Sequence, residues 1–407
     1  WEELPVALAP SESYDKDGCF SGSAIVKDDK LYLLYTGHVD DEEKREETQC
    51  LAVSTDGITF EKIPTNPVIH VQHIDGIADI ADFRDPKVFE YQGSYYTVVA
   101  SKTVDDRGQI LLFASSNLED WSFKSVLLEG EKGQGIMWEC PDFFLLDGKW
   151  VLILSPIEME RQQEKYWNLN STVAFIGDMN WETGQFVVDS YDEIDGGLDF
   201  YAPQTCQGPN GERYMVAWMQ MWQRSIPSHD LGHGWAGSMT VPRKLCLRDG
   251  RLVQELPESV KDHFLVENAP ETIAKGNQIT IPARGKQTLF EIGAKSGRSF
   301  ILSYGNESDA DSTLQLIYDA SNKRFSLSRD QFGHLISGKE SPEIQSRWIQ
   351  LDGEKDHHFS ILRDTNSIEV FVDGKTLSMT FYETTENPVY TFKADEGVGL
   401  VVKTYQK

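Results

Sequence analysis

Gly135-Ile-Met-Trp-Glu-Cys-Pro-Asp-Phe-Phe144, the polar turn Asp147-Gly148-Lys149 and the apolar run Trp150–Leu154 read as a strand, a turn and a second strand. The same order returns along the first 220 residues. Leu31–Tyr35 follows Asp28-Asp29-Lys30, Tyr95–Ala100 follows Gln92-Gly93-Ser94, and Tyr214–Met219 follows Asn210-Gly211-Glu212. With Tyr32, Tyr95, Val151 and Tyr214 as markers, the spacings are 63, 56 and 63 residues. A second marker, an aromatic after a polar turn, falls at Phe60, Trp121 and Trp181, 61 and 60 residues apart. Two independent markers sharing one period indicate a structural repeat.

Each period opens on a further strand: Gly18-Cys-Phe-Ser-Gly-Ser23, Asp82-Phe-Arg-Asp-Pro86, Trp138-Glu-Cys-Pro-Asp142 and Phe200-Tyr-Ala-Pro-Gln204. Four strands per unit, repeated radially, predict a β-propeller, in which the opening strands line a central channel. The period is lost after about Asn268. Short strands such as Gln278–Ile281, Thr313–Tyr318, Arg324–Ser328, His358–Leu362 and Ser367–Val372 follow. They predict a β-sandwich without a buried ionisable cluster. The expected fold class is all-β: a propeller over residues 1–255, a linker at 256–267 with a short helical turn, and a sandwich over 268–407.

Composition narrows the function. The chain has 407 residues, 40% of them hydrophobic, and a formal charge of -27. That charge repels nucleic acid phosphates and anionic membranes, so neither is an expected partner. The five cysteines include no Cys-x-x-Cys pair, which predicts a reducing, cytoplasmic setting without a disulfide framework. A secreted protein stays open, because any signal peptide would lie upstream of Trp1. No metal site and no cofactor are expected, and His357-His358 reads as a solvated strand end. A homo-oligomer is left open.

The period openings bring together Phe20 and Ser21, Arg84 and Asp85, Glu139 and Cys140, and Tyr201 and Gln204. Aromatic faces beside carboxylates and an arginine suit a sugar: rings pack on its CH faces and charged groups take its hydroxyls. Two carboxylates also fit glycoside hydrolysis. Glu139, between Trp138 and Cys140, is the expected acid, because apolar neighbours penalise its ionised form. Asp85 is expected to stay anionic beside Arg84. Trp218 and Trp222 read as propeller core, and Cys140 and Cys206 as inert buried thiols.

Phe83-Arg-Asp-Pro-Lys-Val-Phe89, Met137-Trp-Glu-Cys-Pro-Asp-Phe-Phe144 and Asp199-Phe-Tyr-Ala-Pro-Gln-Thr205 resemble the conserved blocks of glycoside hydrolase family 32. Gly18-Cys-Phe-Ser-Gly-Ser-Ala24, Gly234-Trp-Ala-Gly-Ser-Met-Thr-Val-Pro-Arg243 and Ser367-Ile-Glu-Val-Phe-Val-Asp-Gly374 extend the resemblance over nearly the whole chain. It implies a five-bladed propeller and a retaining β-fructofuranosidase acting on sucrose or sucrose 6-phosphate. By resemblance Glu139 is the general acid/base and Asp85 the transition-state stabiliser. Phe20, Ser21, Arg84, Cys140, Tyr201, Gln204 and Trp235 would contact a small-molecule sugar substrate. A phosphate would need a cation at the rim, for which Arg224 and His233 are candidates.

The resembled family carries its nucleophile in a Trp-Met-Asn-Asp-Pro-Asn-Gly-like block, which does not occur here. Trp1 matches the late-blade aromatic, so an incomplete first blade is expected, with the nucleophilic Asp upstream of Trp1. This chain by itself is then expected to show negligible hydrolysis. The alternative is a non-catalytic carbohydrate-binding propeller.

Overall fold

The structure, a computed structural model, describes residues 2–42, 44–266, 271–273, 278–283, 285–306, 312–341, 343–352 and 354–405. Trp1 lies outside them. Two compact units are present: Trp1–Glu160 with Val173–Asp192, and Arg161–Thr172 with Glu193–Lys407.

Three antiparallel meanders of four strands make the first unit. They are β1 (Gly18–Lys27), β2 (Lys30–Asp40), β3 (Arg45–Ser54) and β4 (Glu61–Lys62); β5 (Phe83–Tyr91), β6 (Ser94–Lys102), β7 (Gly108–Ser115) and β8 (Trp121–Glu129); and β9 (Gln134–Leu146), β10 (Lys149–Met159), β11 (Val173–Asn180) and β12 (Gln185–Glu193). Turn chemistry sets the register. The loops Asp28-Asp29, Gln92-Gly93 and Asp147-Gly148 each hold two residues at positive φ, the type I′ geometry whose twist matches the flanking strands. Leu34, Leu51, Phe83, Val99, Leu111 and Phe113 belong to one buried cluster.

A fourth meander of the same kind opens the second unit: β13 (Tyr201–Gln207), β14 (Arg213–Trp218), β15 (Arg243–Arg248) and β16 (Arg251–Glu255). One helical turn follows at Glu258–Lys261. Two further sheets then pack as a sandwich over a core that includes Phe300, Phe325, Phe359 and Phe392. One sheet runs Phe264–Val266, Val398–Tyr405, Thr288–Ala294, His357–Arg363, Ser367–Val372, Lys375–Thr380, with Glu271–Ile273 also paired to Val398–Tyr405. The other runs Gln278–Pro282, Val389–Ala394, Phe300–Gly305, Thr313–Asp319, Arg324–Ser328, Ser346–Gln350. The fold is all-β, propeller blades followed by a sandwich.

The expectation of a sandwich without buried charge fails. Arg243, with no exposed side-chain surface, pairs with Asp195 at 2.9 Å and Glu369 at 2.7 Å. Asp199 bridges Arg224 at 3.0 Å and Arg329 at 2.5 Å, and Arg224 also holds Glu340 at 2.7 Å. These ions join blade residues to sandwich residues within one unit. Arg224 is therefore committed inside and does not stand at a rim. His357 is buried and meets Asp373 at 2.8 Å, so only His358 fits the reading of a solvated strand end. Trp222 is exposed and stacks edge-on against Trp218, so it is not core, and Cys206 is exposed.

Candidate active site

Every opening strand carries a bulge at the same phase. Asp85 and Pro86 oppose Val99, Cys140 and Pro141 oppose Leu154, and Ala202 and Pro203 oppose Ala217. On β1 the extra residue is Ser21. In the first three cases the residue before proline is left-handed, with φ of 61° at Asp85, 49° at Cys140 and 50° at Ala202. A proline cannot donate to a ladder, so a bulge is where a strand tolerates it. The extra residue bends the strand and re-aims the side chains beside it.

β1 packs beside β5, and β5 beside β9. Across these contacts the structure places Arg84 against Glu139. Glu139 Oε1 accepts from Arg84 Nε at 3.1 Å and from Nη2 at 2.9 Å. Arg84 Nη1 donates to Glu47 Oε2 at 3.0 Å and to Asp82 Oδ1 at 3.1 Å. Asp85 meets Cys140, the next residue along β9. Its Oδ2 accepts from the backbone N–H of Cys140 at 2.9 Å and contacts Cys140 Sγ at 3.5 Å. Its own N–H donates to Thr36 Oγ1 at 3.0 Å.

This arrangement corrects two expectations. Trp138 and Glu139 alternate across β9. The indole is fully buried, donates to the Gln134 carbonyl and packs toward Phe175 and away from the carboxylate. Arg84 was expected to keep Asp85 ionised. Its guanidinium instead engages three other carboxylates, and burial together with the Glu139 charge pushes Asp85 up to about 6, against the opposing pull of Arg84.

Glu47 is a site residue that sequence reading missed. It is fully buried on β3, and its Oε2 also accepts from the N–H of Phe83 at 3.0 Å. Gln49 Nε2 donates to the Phe83 carbonyl at 2.8 Å, and Gln49 Oε1 accepts from Thr36. The available signal was the polar run Glu47-Thr48-Gln49 within an otherwise buried strand. Ser23 was missed as well; its hydroxyl donates to the Pro86 carbonyl and accepts from Val88 N–H, tying β1 to β5.

Phe20 is 39% exposed and stacks on His38 with ring centroids 4.0 Å apart. Ser21 is exposed beside it. Tyr201, Gln204 and Trp235 belong to the second unit: Tyr201 is buried, Gln204 half-buried and Trp235 exposed, with His233 against its ring. Among the described residues, no group of three or more His, Cys, Asp or Glu is placed to hold a metal ion. No helix among them is long and apolar enough to cross a membrane.

The Glycosyl hydrolases family 32 N-terminal domain matches residues 1–256, and the family's C-terminal domain matches residues 253–405. The chain belongs to glycosyl hydrolase family 32. This family 32 protein is 41% identical over 268 residues to a sucrose-6-phosphate hydrolase of Bacillus subtilis, covering 63% of the chain and 54% of that relative. It is 34% identical to a sucrose-6-phosphate hydrolase of Escherichia coli, covering 98% of the chain and 82% of the relative. The solved GH32 beta-fructofuranosidase of Bombyx mori superposes with a TM-score of 0.84 at 29% identity, over 100% of the chain and 82% of that structure. A mutant of the same silkworm protein was solved in complex with sucrose.

Proposed function

We propose that this family 32 protein is a retaining β-fructofuranosidase that hydrolyses the fructosyl bond of sucrose or sucrose 6-phosphate. The observation that carries this reading is the Asp85–Arg84–Glu139 cluster on two bulged opening strands of a family 32 chain. Glu139 protonates the leaving oxygen and later activates water. Two Arg84 donors hold Oε1 of Glu139, which orients the carboxyl group for the proton transfer. Asp85 holds fructosyl hydroxyls and faces the oxocarbenium charge as an anion. Burial makes that anion strong where it is needed, since a desolvated charge acts through a lower dielectric. Attack on the anomeric carbon falls to a third carboxylate. Phe20, Ser21, Cys140, Tyr201, Gln204 and Trp235 are assigned to substrate contact.

The test uses protein expressed from its complete reading frame, assayed on sucrose and on sucrose 6-phosphate. Glu139→Gln should lower kcat by about 10²–10⁴-fold with KM little changed. Parental turnover by that variant would overturn the assignment.

A further inference from the structure

A second aromatic-walled site lies in the unit that contains the sandwich. A cavity of about 150 Å³ is lined by Glu164, Trp167, Ser346, Arg347 and Trp348. Both tryptophans are half-exposed, and both are held in place. Trp167 Nε1 donates to the Gln163 carbonyl at 2.6 Å, and the Arg161 guanidinium lies 4.9 Å from its ring centroid. Trp348 sits under the Arg324 guanidinium at 3.7 Å. The segment bearing Trp167 is closed by the turn Gln162–Lys165 and pinned through Asn168, whose Nδ2 donates to the Gly197 carbonyl at 3.1 Å. Arg347 in the lining is fixed as well. Arg347 is buried, and its Nη2 donates to Asn168 Oδ1 at 2.7 Å.

We propose that this cavity is a second carbohydrate-binding site, taking one neutral hexose residue. Pre-ordered indoles offer faces for CH groups at little entropic cost. Arg347 donates to a hydroxyl oxygen, and Glu164 accepts from a hydroxyl. The volume decides the size of the ligand: it falls below the roughly 300–1,000 Å³ of pockets that enclose drug-sized molecules. One sugar ring is accommodated, at the end of an oligosaccharide or alone. The chemistry is independent of Glu139 and does not rest on the hydrolytic reading.

The full chain is titrated with fructose and with methyl α-D-glucopyranoside, read by saturation-transfer NMR and tryptophan fluorescence. A millimolar binding component is expected for at least one of them. It should weaken at least tenfold in Trp348→Ala and also in Ser346→Trp, which fills the cavity from an exposed strand position and keeps the test valid if the first variant folds poorly. Glu139→Gln should leave this component intact, which separates its failure from failure of the hydrolytic assignment. A sugar isotherm unchanged in both cavity variants would overturn the proposal. So would absence of the component in the parent chain, or its displacement by millimolar inorganic phosphate, which would mark an anion site.

Discussion

Arg84 holds Glu139, 55 residues away in sequence, through two hydrogen bonds to one oxygen, while the adjacent Asp85 faces the Cys140 backbone. The two acids of the site thus have different partners: Glu139 takes the Arg84 side chain and Asp85 takes the Cys140 backbone N–H. Arg84→Ala would leave Glu47, Asp82 and Glu139 without their shared cation. Breaking buried pairs of this kind costs about 3–5 kcal/mol. Arg84→Lys should recover part of that stability but little activity, because an ammonium cannot reproduce the fork. Urea denaturation and sucrose turnover of the two variants distinguish these effects.

Asp85 predicts an unusual pH dependence of stability. Its folded value of about 6 lies above the ordinary 3.8. The folded state therefore binds the proton more tightly than the unfolded chain, and this residue's contribution is most favourable below 3.8. It is lost as pH rises through 6. The shift corresponds to about 3 kcal/mol. Asp85→Asn, which keeps an acceptor for Cys140 N–H, should raise Tm at pH 7–8 and change it little at pH 4. It should also abolish turnover, because the anion is gone. An equal Tm gain at both pH values would refute the argument.

The thiols should react in a defined order. Burial, with Asp85 and Glu139 nearby, holds Cys140 well above its ordinary range, so the nucleophilic thiolate is scarce at neutral pH. Cys206 is exposed. Limited iodoacetamide treatment of the folded protein at pH 7.5, followed by peptide mass analysis, should label Cys206 and spare Cys140.

Arg243 is expected to matter far more for stability than its place in a blade strand suggests. It is fully buried among Asp195, Glu369, Gln254, Thr376 and Ser378. Arg243→Ala should cost about 3–5 kcal/mol through uncompensated buried carboxylates. Adding Glu369→Gln should return part of the loss, a positive coupling measurable in a double-mutant cycle.

The repeat was legible because its punctuation is local. Asp147-Gly148 and Gln92-Gly93 announce type I′ turns, and the strands between them alternate or run apolar. The prolines at 86, 141 and 203 were equally legible and pointed to bulges, a reading the bare strand pattern did not draw. Glu47 was legible only as one member of the polar run Glu47-Thr48-Gln49, not as a partner of the site. Its importance comes from a contact with Arg84, 37 residues on, and from burial that no local pattern encodes. Trp138 misled for the opposite reason: neighbours in sequence are opposed in a strand. His357 and the Asp195, Asp199 and Glu369 ion pairs were hidden likewise, since each depends on a partner outside its own stretch of sequence.

The left-handed residue before each blade proline is an acid in one blade, a thiol in the next and a methyl group in the last: Asp85, Cys140 and Ala202. The backbone detour is the same whatever its occupant. Architecture and reactivity can therefore change on separate schedules. A single codon change at Ala202 would put a new functional group on a mount already built, without any strand having to be redrawn.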